Sequence, residues 1–328
     1  MADIFLQLIK KVFRIRTEIE FEEIAIEVFN YQYNQNAIYR AFCNHIKTDP
    51  KTVASLEEIP FLPISFFKTH QVITGNFSPE VIYTSSGTSG MGNSKHEVRS
   101  LSVYRQSFNK TFNLFYTSPE NYIVIGLLPS YLEREGSSLV YMVDQLISKS
   151  SHKNSGFYLN NLQELASFLK EYKGSRQILL IGVSYALLDL AEGFDLDLSK
   201  AIIMETGGMK GRRKEMTKPE LHQTLQKAFN IDKIHSEYGM TELLSQAYSK
   251  GHGQFKCPPW VKVLIREYND PFSFTSKKSG GINMIDLANL SSCAFIATDD
   301  LGRIGENYFE VLGRFDNADL RGCNLLVQ

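Results

Sequence analysis

The chain is poor in the features that mark several large functional classes. It has no excess of either charge. Its 35 basic and 36 acidic side chains leave a formal net charge of −1, so nothing in the balance favours nucleic acid or an anionic membrane. The basic clusters Lys10-Lys11-Val12-Phe13-Arg14 and Lys210-Gly211-Arg212-Arg213-Lys214 read as solvated faces. The four cysteines, Cys43, Cys257, Cys293 and Cys323, form no C-x-x-C pair. That excludes the common zinc patterns and suits reduced thiols in a cytoplasm. No apolar run reaches the ~18 residues of a bilayer span; the longest, Ile178 to Leu188, falls short. The N-terminal Phe5, Leu8, Ile9, Val12 and Phe13 repeat at helical spacing between charges, which reads as an amphipathic helix and not as a signal peptide. The common phosphate loop G-x-x-x-x-G-K-[ST] and internal repeats are also missing. These absences predict a cytoplasmic protein with no membrane span and no nucleic-acid partner.

What is present is enough apolar residue for a large core: 43% of 328. Residues 1–80 read as a helical section packed on that core, with Phe21, Ile24, Ala25, Val28 and Phe29 at helical spacing. The proline-bearing stretch Ile59 to Lys68 is extended, either a strap around the core or one wall of a pocket. From 81 to 250, strand-like runs at Tyr122–Leu128, Ile178–Ile181, Ala201–Met204 and Lys233–His235 alternate with helical ones. One helix starts at Asn161, and another at Thr217-Lys218-Pro219-Glu220, a capping-box pattern. Such alternation predicts an α/β fold with a largely parallel sheet. Residues 251–312 are rich in strand patterns, a small barrel or sheet. Residues 313–328 form a short C-terminal tail.

Four loops stand at the ends of predicted strands, where α/β sheets bind ligands. The first, Thr84-Ser85-Ser86-Gly87-Thr88-Ser89-Gly90 followed by Lys95, offers N–H groups and hydroxyls for a polyphosphate. The second, Met204 to Gly211, has Gly207-Gly208, whose backbone lets a flat ring approach. The third, His235 to Glu242, supplies the Tyr238 ring for stacking, the Thr241 hydroxyl for phosphate, and the Glu242 carboxylate for Mg²⁺. The fourth, Ala297 to Arg303 followed by Gly313-Arg314-Phe315-Asp316, offers Asp300 for ribose hydroxyls and Arg314 for phosphate. Taken singly, the first two also read as ordinary turns, the third as a helix start with Thr241 as its cap, and the fourth as a hairpin with surface ion pairs.

Their order is more telling. A hydroxyl-rich loop, Gly-Gly, Tyr-Gly-x-Thr-Glu, Thr-x-Asp and Gly-Arg-x-Asp together resemble the adenylate-forming superfamily over residues 81–322. That superfamily includes acyl-CoA synthetases, luciferases and peptide-synthetase adenylation domains. Ile59–Lys68, Thr84–Thr88, Glu205–Gly211 and Arg321-Gly322-Cys323 look narrower still. They resemble the acyl-protein synthetase (LuxE) family, across nearly the whole chain.

The resemblance implies the large N-terminal-type domain of an adenylate-forming enzyme, with α/β sheet subdomains and a small β-barrel-like section. With Asp316 close to the end of the sequence, the family's C-terminal lid domain is expected to be absent. Either Lys68, Lys95 or Lys210 would then replace the lid lysine, or adenylation would be slower, or a partner would supply the group. It also implies ATP and Mg²⁺ as cofactors and a fatty acid as substrate. Residues 81–250 would bind nucleotide and acyl group. Thr84 to Gly90 would hold the leaving phosphates; Gly207, Gly208, Tyr238, Asp300 and Arg314 would bind adenine and ribose. Thr241 and Lys95 would act at the reacting phosphate and Glu242 at the metal. Cys323 would take the acyl group and pass it to an acyl reductase or another acceptor. Tyr131, Leu139, Tyr141 and Tyr185 are candidates for the acyl pocket. Two other readings stand beside this one. The chain could be a non-catalytic carrier on the same fold. It could also be a serine hydrolase or acyltransferase, because Gly182-Val183-Ser184-Tyr185-Ala186 approaches a nucleophile elbow with His222, His235 and His252 downstream.

Overall fold

Apolar spacing at the N-terminus produces the expected helices. The computed structural model describes residues 4–85, 92–128, 136–158, 161–207, 216–268, 270–275 and 278–315. Helix α1 (Ile4–Val12) buries Phe5, Leu8, Ile9 and Val12. Helix α2 (Glu18–Gln35) starts at a capping box, Thr17 with Glu20. Helix α3 (Ala37–His45) is capped by Asn36, whose side chain accepts from the Tyr39 N–H. The proline-bearing stretch is a strap. Ile59, Phe61 and Leu62 are buried, and the Pro60 carbonyl accepts from the Tyr39 hydroxyl at 2.6 Å. Its strand β1 (Leu62–Pro63) runs parallel to Ile296–Ala297. A short helix α4 (Phe66–Thr69) then leads to a separate hairpin, β2 (Val81–Thr84) and β3 (Lys95–Val98), and helix α5 (Leu101–Tyr116) follows.

The central region alternates as its sequence predicts. Strands β4 (Tyr122–Leu127), β5 (Gly156–Phe157), β6 (Gln177–Gly182), β7 (Ile202–Glu205) and β8 (His235–Tyr238) pair in parallel, in the order β5-β4-β6-β7-β8. Helices α6 (Ser138–Ser150), α7 (Leu162–Glu171), α8 (Ser184–Gly193) and α9 (Lys218–Phe229) lie between them in the chain. All six residues of β4 are buried, as a parallel strand covered on both faces requires. The two helix starts are fixed by local chemistry. Asn161 accepts from the Glu164 N–H at 3.1 Å, and Thr217 forms a capping box with Glu220, with proline in the first turn.

The β-rich section continues the same hydrogen-bonded sheet. Antiparallel β9 (Ala247–Ser249) pairs with β8, and β10 (Phe255–Lys256) extends it. Beyond these lie β14 (Phe309–Arg314), β13 (Phe295–Ile304), β12 (Ser279–Asp286) and β11 (Val261–Arg266), in that order. The fourth segment, expected as a loop, is therefore strand. Its residues Asp300 to Arg303 keep the antiparallel ladder with β14, Asp300 standing opposite Arg314, through one irregularity after Leu301.

At the end of β12 a buried carboxylate ties this section to the parallel sheet. Asp286 accepts from the N–H groups of Leu244 and Ser245, each at 2.8 Å, and from the Ser245 hydroxyl at 2.6 Å. The same hydroxyl oxygen accepts from the Trp260 indole at 3.0 Å. Removing the carboxylate strands two buried backbone donors, each worth about 1–3 kcal/mol. We expect Asp286→Ala to lower unfolding free energy by roughly 3 kcal/mol or more, measured by urea denaturation. A loss below about 1 kcal/mol would mean those donors find other partners.

Candidate active site

Strand β8 ends at the C-terminal edge of the parallel sheet, and Gly239 to Glu242 turn away from it. Tyr238, half-buried at that end, donates its hydroxyl to Asp300 Oδ2 at 2.7 Å. Arg314 Nε reaches Asp300 Oδ1 at 3.3 Å. Burial raises the Asp300 carboxyl above the ordinary range, and the Arg314 charge and the Tyr238 hydroxyl oppose this. Arg314 is largely exposed, so this ion pair adds little stability. Phe255 and Phe309 pack against the Tyr238 ring, with centroids 5.7 and 5.5 Å away. Sequence reasoning named Tyr238, Asp300 and Arg314, and the structure brings all three together.

The turn after Tyr238 is held from beneath by groups the sequence reading missed. His96, on β3, directs Nδ1 to the Thr241 carbonyl at 2.7 Å and Nε2 to Asn289 Oδ1 at 3.0 Å. Asn289 Nδ2 donates to the carbonyls of Glu242 and Cys293, both at 2.8 Å. The Thr241 carbonyl can only accept, so Nδ1 carries the proton. Both ring nitrogens face acceptors, which favours a doubly protonated ring, but burial outweighs them and pulls His96 down to about 4. Glu242 is buried. Burial raises its pKa against a hydrogen bond from Ser94 and the charges of Arg314 and Lys68. Thr241 is half-buried beside it.

The glycine turn after β7 has its own anchor. Gly207 has φ +73° with open space where a Cβ would stand, a conformation glycine adopts without strain. Its N–H donates to Glu205 Oε2 at 2.8 Å. Glu205 is buried, bonded to Lys218, with His222 Nε2 at 3.4 Å. Burial would raise this carboxyl, but the Lys218 charge and the hydrogen bonds from His222, Lys218 and Ser236 win and hold it well below its ordinary value. Ser236 Oγ meets the same His222 nitrogen at 3.3 Å, so Ser236, His222 and Glu205 do not form a proton relay.

Ser184 is not placed as a nucleophile. It opens α8, is buried, and its N–H donates to the Gly207 carbonyl at 3.3 Å. His222 is engaged by Glu205 and Ser236, and His235 Nδ1 by the Tyr116 hydroxyl at 2.9 Å.

Of the hydroxyl-rich loop, the described residues include its base. The Thr84 N–H donates to the Gly136 carbonyl at 2.8 Å, and Ser85 is bonded to Ser94 through both its N–H and its hydroxyl. Lys95 is exposed and stands opposite Thr84 in the hairpin. Ser86, Gly87, Thr88, Ser89, Gly90, Tyr131, Gly208, Lys210 and Cys323 lie outside the described residues. Cys43 and Cys293 are buried and Cys257 is half-buried. Burial pushes Cys43 and Cys257 up to about 12 and Cys293 higher still, so none of the three is a thiolate at neutral pH. Tyr141 stacks on Tyr104, Leu139 is half-buried, and Tyr185 is buried in α8. Among the described residues no group of three or more His, Cys, Asp or Glu could hold a metal, and no helix is long and apolar enough to cross a membrane.

This architecture is that of the adenylate-forming ligases. A 2-hydroxyisobutyryl-CoA ligase, solved with 2-HIB-AMP and CoA, superposes with TM-score 0.67 at 12% identity, over 92% of this chain and 70% of that one. The acyl-protein synthetase, LuxE, family profile matches residues 16–126 and 132–328, and the chain belongs to that family. It is accordingly an acyl-activating enzyme of the ligase class. Among its relatives is the long-chain-fatty-acid–luciferin-component ligase of Vibrio harveyi, 23% identical over 320 residues, covering 90% of this chain and 84% of the relative. The ligase of the same name from Aliivibrio fischeri is 24% identical over 335 residues, with coverage of 93% and 86%.

The buried ring under the turn gives a pH signature. The folded state holds His96 at about 4 against an ordinary 6.5, so it binds protons less readily than the unfolded chain. Its contribution is complete above pH 6.5 and is lost as pH falls through that value toward 4, on the order of 3 kcal/mol. In urea titrations across this window, His96→Gln should flatten that part of the profile. An unchanged slope would assign the titration to another group.

Proposed function

We propose that the protein activates a carboxylic acid with ATP and carries the acyl group on its own cysteine. The observation that carries this reading is the Tyr238–Asp300–Arg314 unit standing beside the Gly239–Glu242 turn at the strand ends. In the first step a carboxylate oxygen attacks the α-phosphorus of ATP. The bond to the bridging oxygen breaks, giving acyl-adenylate and pyrophosphate. The loop from Thr84 to Gly90 would hold the departing phosphates and Lys95 would act at the reacting phosphate; positioning and electrostatics supply most of the acceleration. Tyr238 would stack on adenine against the Gly207-Gly208 turn. Asp300 would accept from the ribose, with Arg314 near the phosphates, and Thr241 would contact the α-phosphate.

Glu242 fits a Mg²⁺ ligand. It is one carboxyl, pushed up by burial and pulled back by neighbouring positive charge, and Mg²⁺ commonly takes one or two carboxylates with phosphate oxygens completing its shell. When bound, the ion would neutralise charge on the phosphates.

In the second step the Cys323 thiolate would attack the acyl carbonyl and displace AMP, giving a thioester. The raised thiols of Cys43, Cys257 and Cys293 support this choice. A reducing cytoplasm suits it, and an acyl reductase is a fitting recipient. The names of the Vibrio harveyi and Aliivibrio fischeri relatives favour a fatty acid as substrate. The acyl chain would run past the aromatic group of Tyr83, Tyr104 and Tyr141, between the strand that enters the hydroxyl loop and the end of β8.

Two measurements test this reading. Cys323→Ser should keep acid-dependent pyrophosphate exchange and lose self-acylation by intact mass; labelled acyl remaining on the variant would reject Cys323 as acceptor. Asp300→Asn should weaken ATP binding about tenfold, roughly 1.4 kcal/mol, by calorimetry; unchanged affinity would remove the ribose contact.

A further inference from the structure

Two buried polar groups have no partner among the described residues, and a third, a buried carboxyl on β8, gains nothing from a hydrogen bond. Gln246 Oε1 and the Tyr83 hydroxyl are buried without a hydrogen bond. Glu237 is also buried, and burial, the charge of Glu205 and that of Lys218 act on its carboxyl without any hydrogen bond. The other buried acids of this region are all bonded: Glu205 by Lys218, Glu242 by Ser94, Asp286 by Ser245, and Asp300 by Tyr238. A buried polar group left alone is costly, and such groups are few in folded proteins.

Glu237 and Gln246 share one place. A side chain on Gly239 would collide with Glu237 Oε1 and would stand 3.4 Å from Gln246 Cγ. Glu237 and Gln246 therefore face the same open side of Gly239. Tyr104 feels both Tyr83 and Glu237, each of which raises its pKa. Its ring lies 5.5 Å from that of Tyr83 and 5.9 Å from that of Tyr141. The unpartnered groups thus border the aromatic cluster assigned above to the acyl chain.

We propose that Glu237 and Gln246, with Tyr83 beyond Tyr104, form a polar subsite for a hydroxyl group on the acyl chain. The enzyme then selects a hydroxylated fatty acid over its unsubstituted counterpart. The proposal rests on the acyl-activating reading. Burial first, and Glu205 second, hold the Glu237 carboxyl at about 8, so at neutral pH it keeps its proton and offers one donor and one acceptor. Gln246 Oε1 accepts. A hydroxyl, donor and acceptor in one atom, satisfies this pair, whereas a plain methylene leaves both groups unpaired.

The test uses the full chain and matched straight-chain acids with and without one hydroxyl, moved along the chain. In thermal-shift assays one hydroxylated acid should bind about 10-fold or more tightly than its unsubstituted match. Glu237→Met should abolish that preference, and without ligand it should melt above wild type because an unpartnered buried carboxyl is gone. Gln246→Leu, on the neighbouring segment, should lose the preference independently. Equal binding across every pair would overturn the subsite. So would a lower melting temperature of Glu237→Met, which would mean the protein itself holds the carboxyl. Pyrophosphate exchange on the same acids separates the two claims. Selective binding without exchange would support the subsite and sink the adenylation reading; exchange indifferent to the hydroxyl would sink the subsite alone.

Discussion

The turn between β8 and β9 runs from an exposed Gly239 into irregular backbone buried from Glu242 to Gln246, where N–H and C=O groups must find partners without water. That constraint organises the site. Asp286 takes the N–H groups of Leu244 and Ser245, His96 reaches the Thr241 carbonyl, and Asn289 donates to that of Glu242. Two segments far apart in sequence, around His96 and from Asp286 to Asn289, therefore converge on residues 241 to 245. Because His96 belongs to the hairpin that frames the hydroxyl loop, the same hydrogen bond fixes that loop's base relative to Thr241. The N-terminal helices join this arrangement. Gln32 donates to the carbonyls of Asn289, Leu290 and Ser292, and its oxygen accepts from the Ala294 N–H. Asn36 also donates to the Ser292 carbonyl. Helices distant from the strand ends thus brace the loop that braces the turn.

The buried carboxyls around this turn divide by what surrounds them. Glu205 has a lysine and two hydrogen-bonding neighbours, Ser236 and His222, and stays ionised. Asp286 has only neutral donors, and burial still raises it. Asp300 and Glu242 are raised too, with positive charge nearby but insufficient to reverse the shift. The first pair is structural: one holds the Gly207 turn, the other the Leu244–Ser245 turn. The second pair faces the space assigned to nucleotide and metal, where an incoming hydroxyl or cation would favour the ionised form. Groups that the free protein leaves imperfectly satisfied are where a ligand gains most.

What could be read from the sequence was local. Asn161 and Thr217 announce their helices because a cap and its partner lie three residues apart. The parallel strands announce themselves by unbroken apolar runs, and Tyr238 to Glu242 by motif. The strap was one of two readings, and the buried Phe61 and Leu62 decide for it. The Thr298–Arg303 segment was misread as a loop because Asp299, Asp300 and Gly302 resemble turn residues; cross-strand pairing overrides that local preference. His96, Asn289, Asp286 and Glu237 carried no signal that singled them out. A histidine in Lys95-His96-Glu97-Val98 is unremarkable until the hairpin lays it under residue 241. The signal for Glu237 was position alone: it is the residue before Tyr238, and strand alternation sends neighbouring side chains to opposite faces.

In the proposed reading, that alternation lets one short strand serve two ends of a substrate. Tyr238 faces β13 and β14, where its hydroxyl is bound by Asp300 and its ring is boxed by Phe255 and Phe309. The ring therefore does not need to be ordered when a base arrives, and a contact made by a preorganised group loses less entropy. The remaining Asp300 oxygen meets only the exposed Arg314, at a long 3.3 Å, and stays available to a ribose. Glu237 turns the other way, toward Tyr104 and Tyr248. Gly239 is what allows both: any side chain there would strike the Glu237 carboxyl. The glycine of the Tyr-Gly-Met-Thr-Glu motif thus makes room for its own upstream neighbour, and in the proposed reading adjacent residues on one strand would set the nucleotide side and the acyl side of the site.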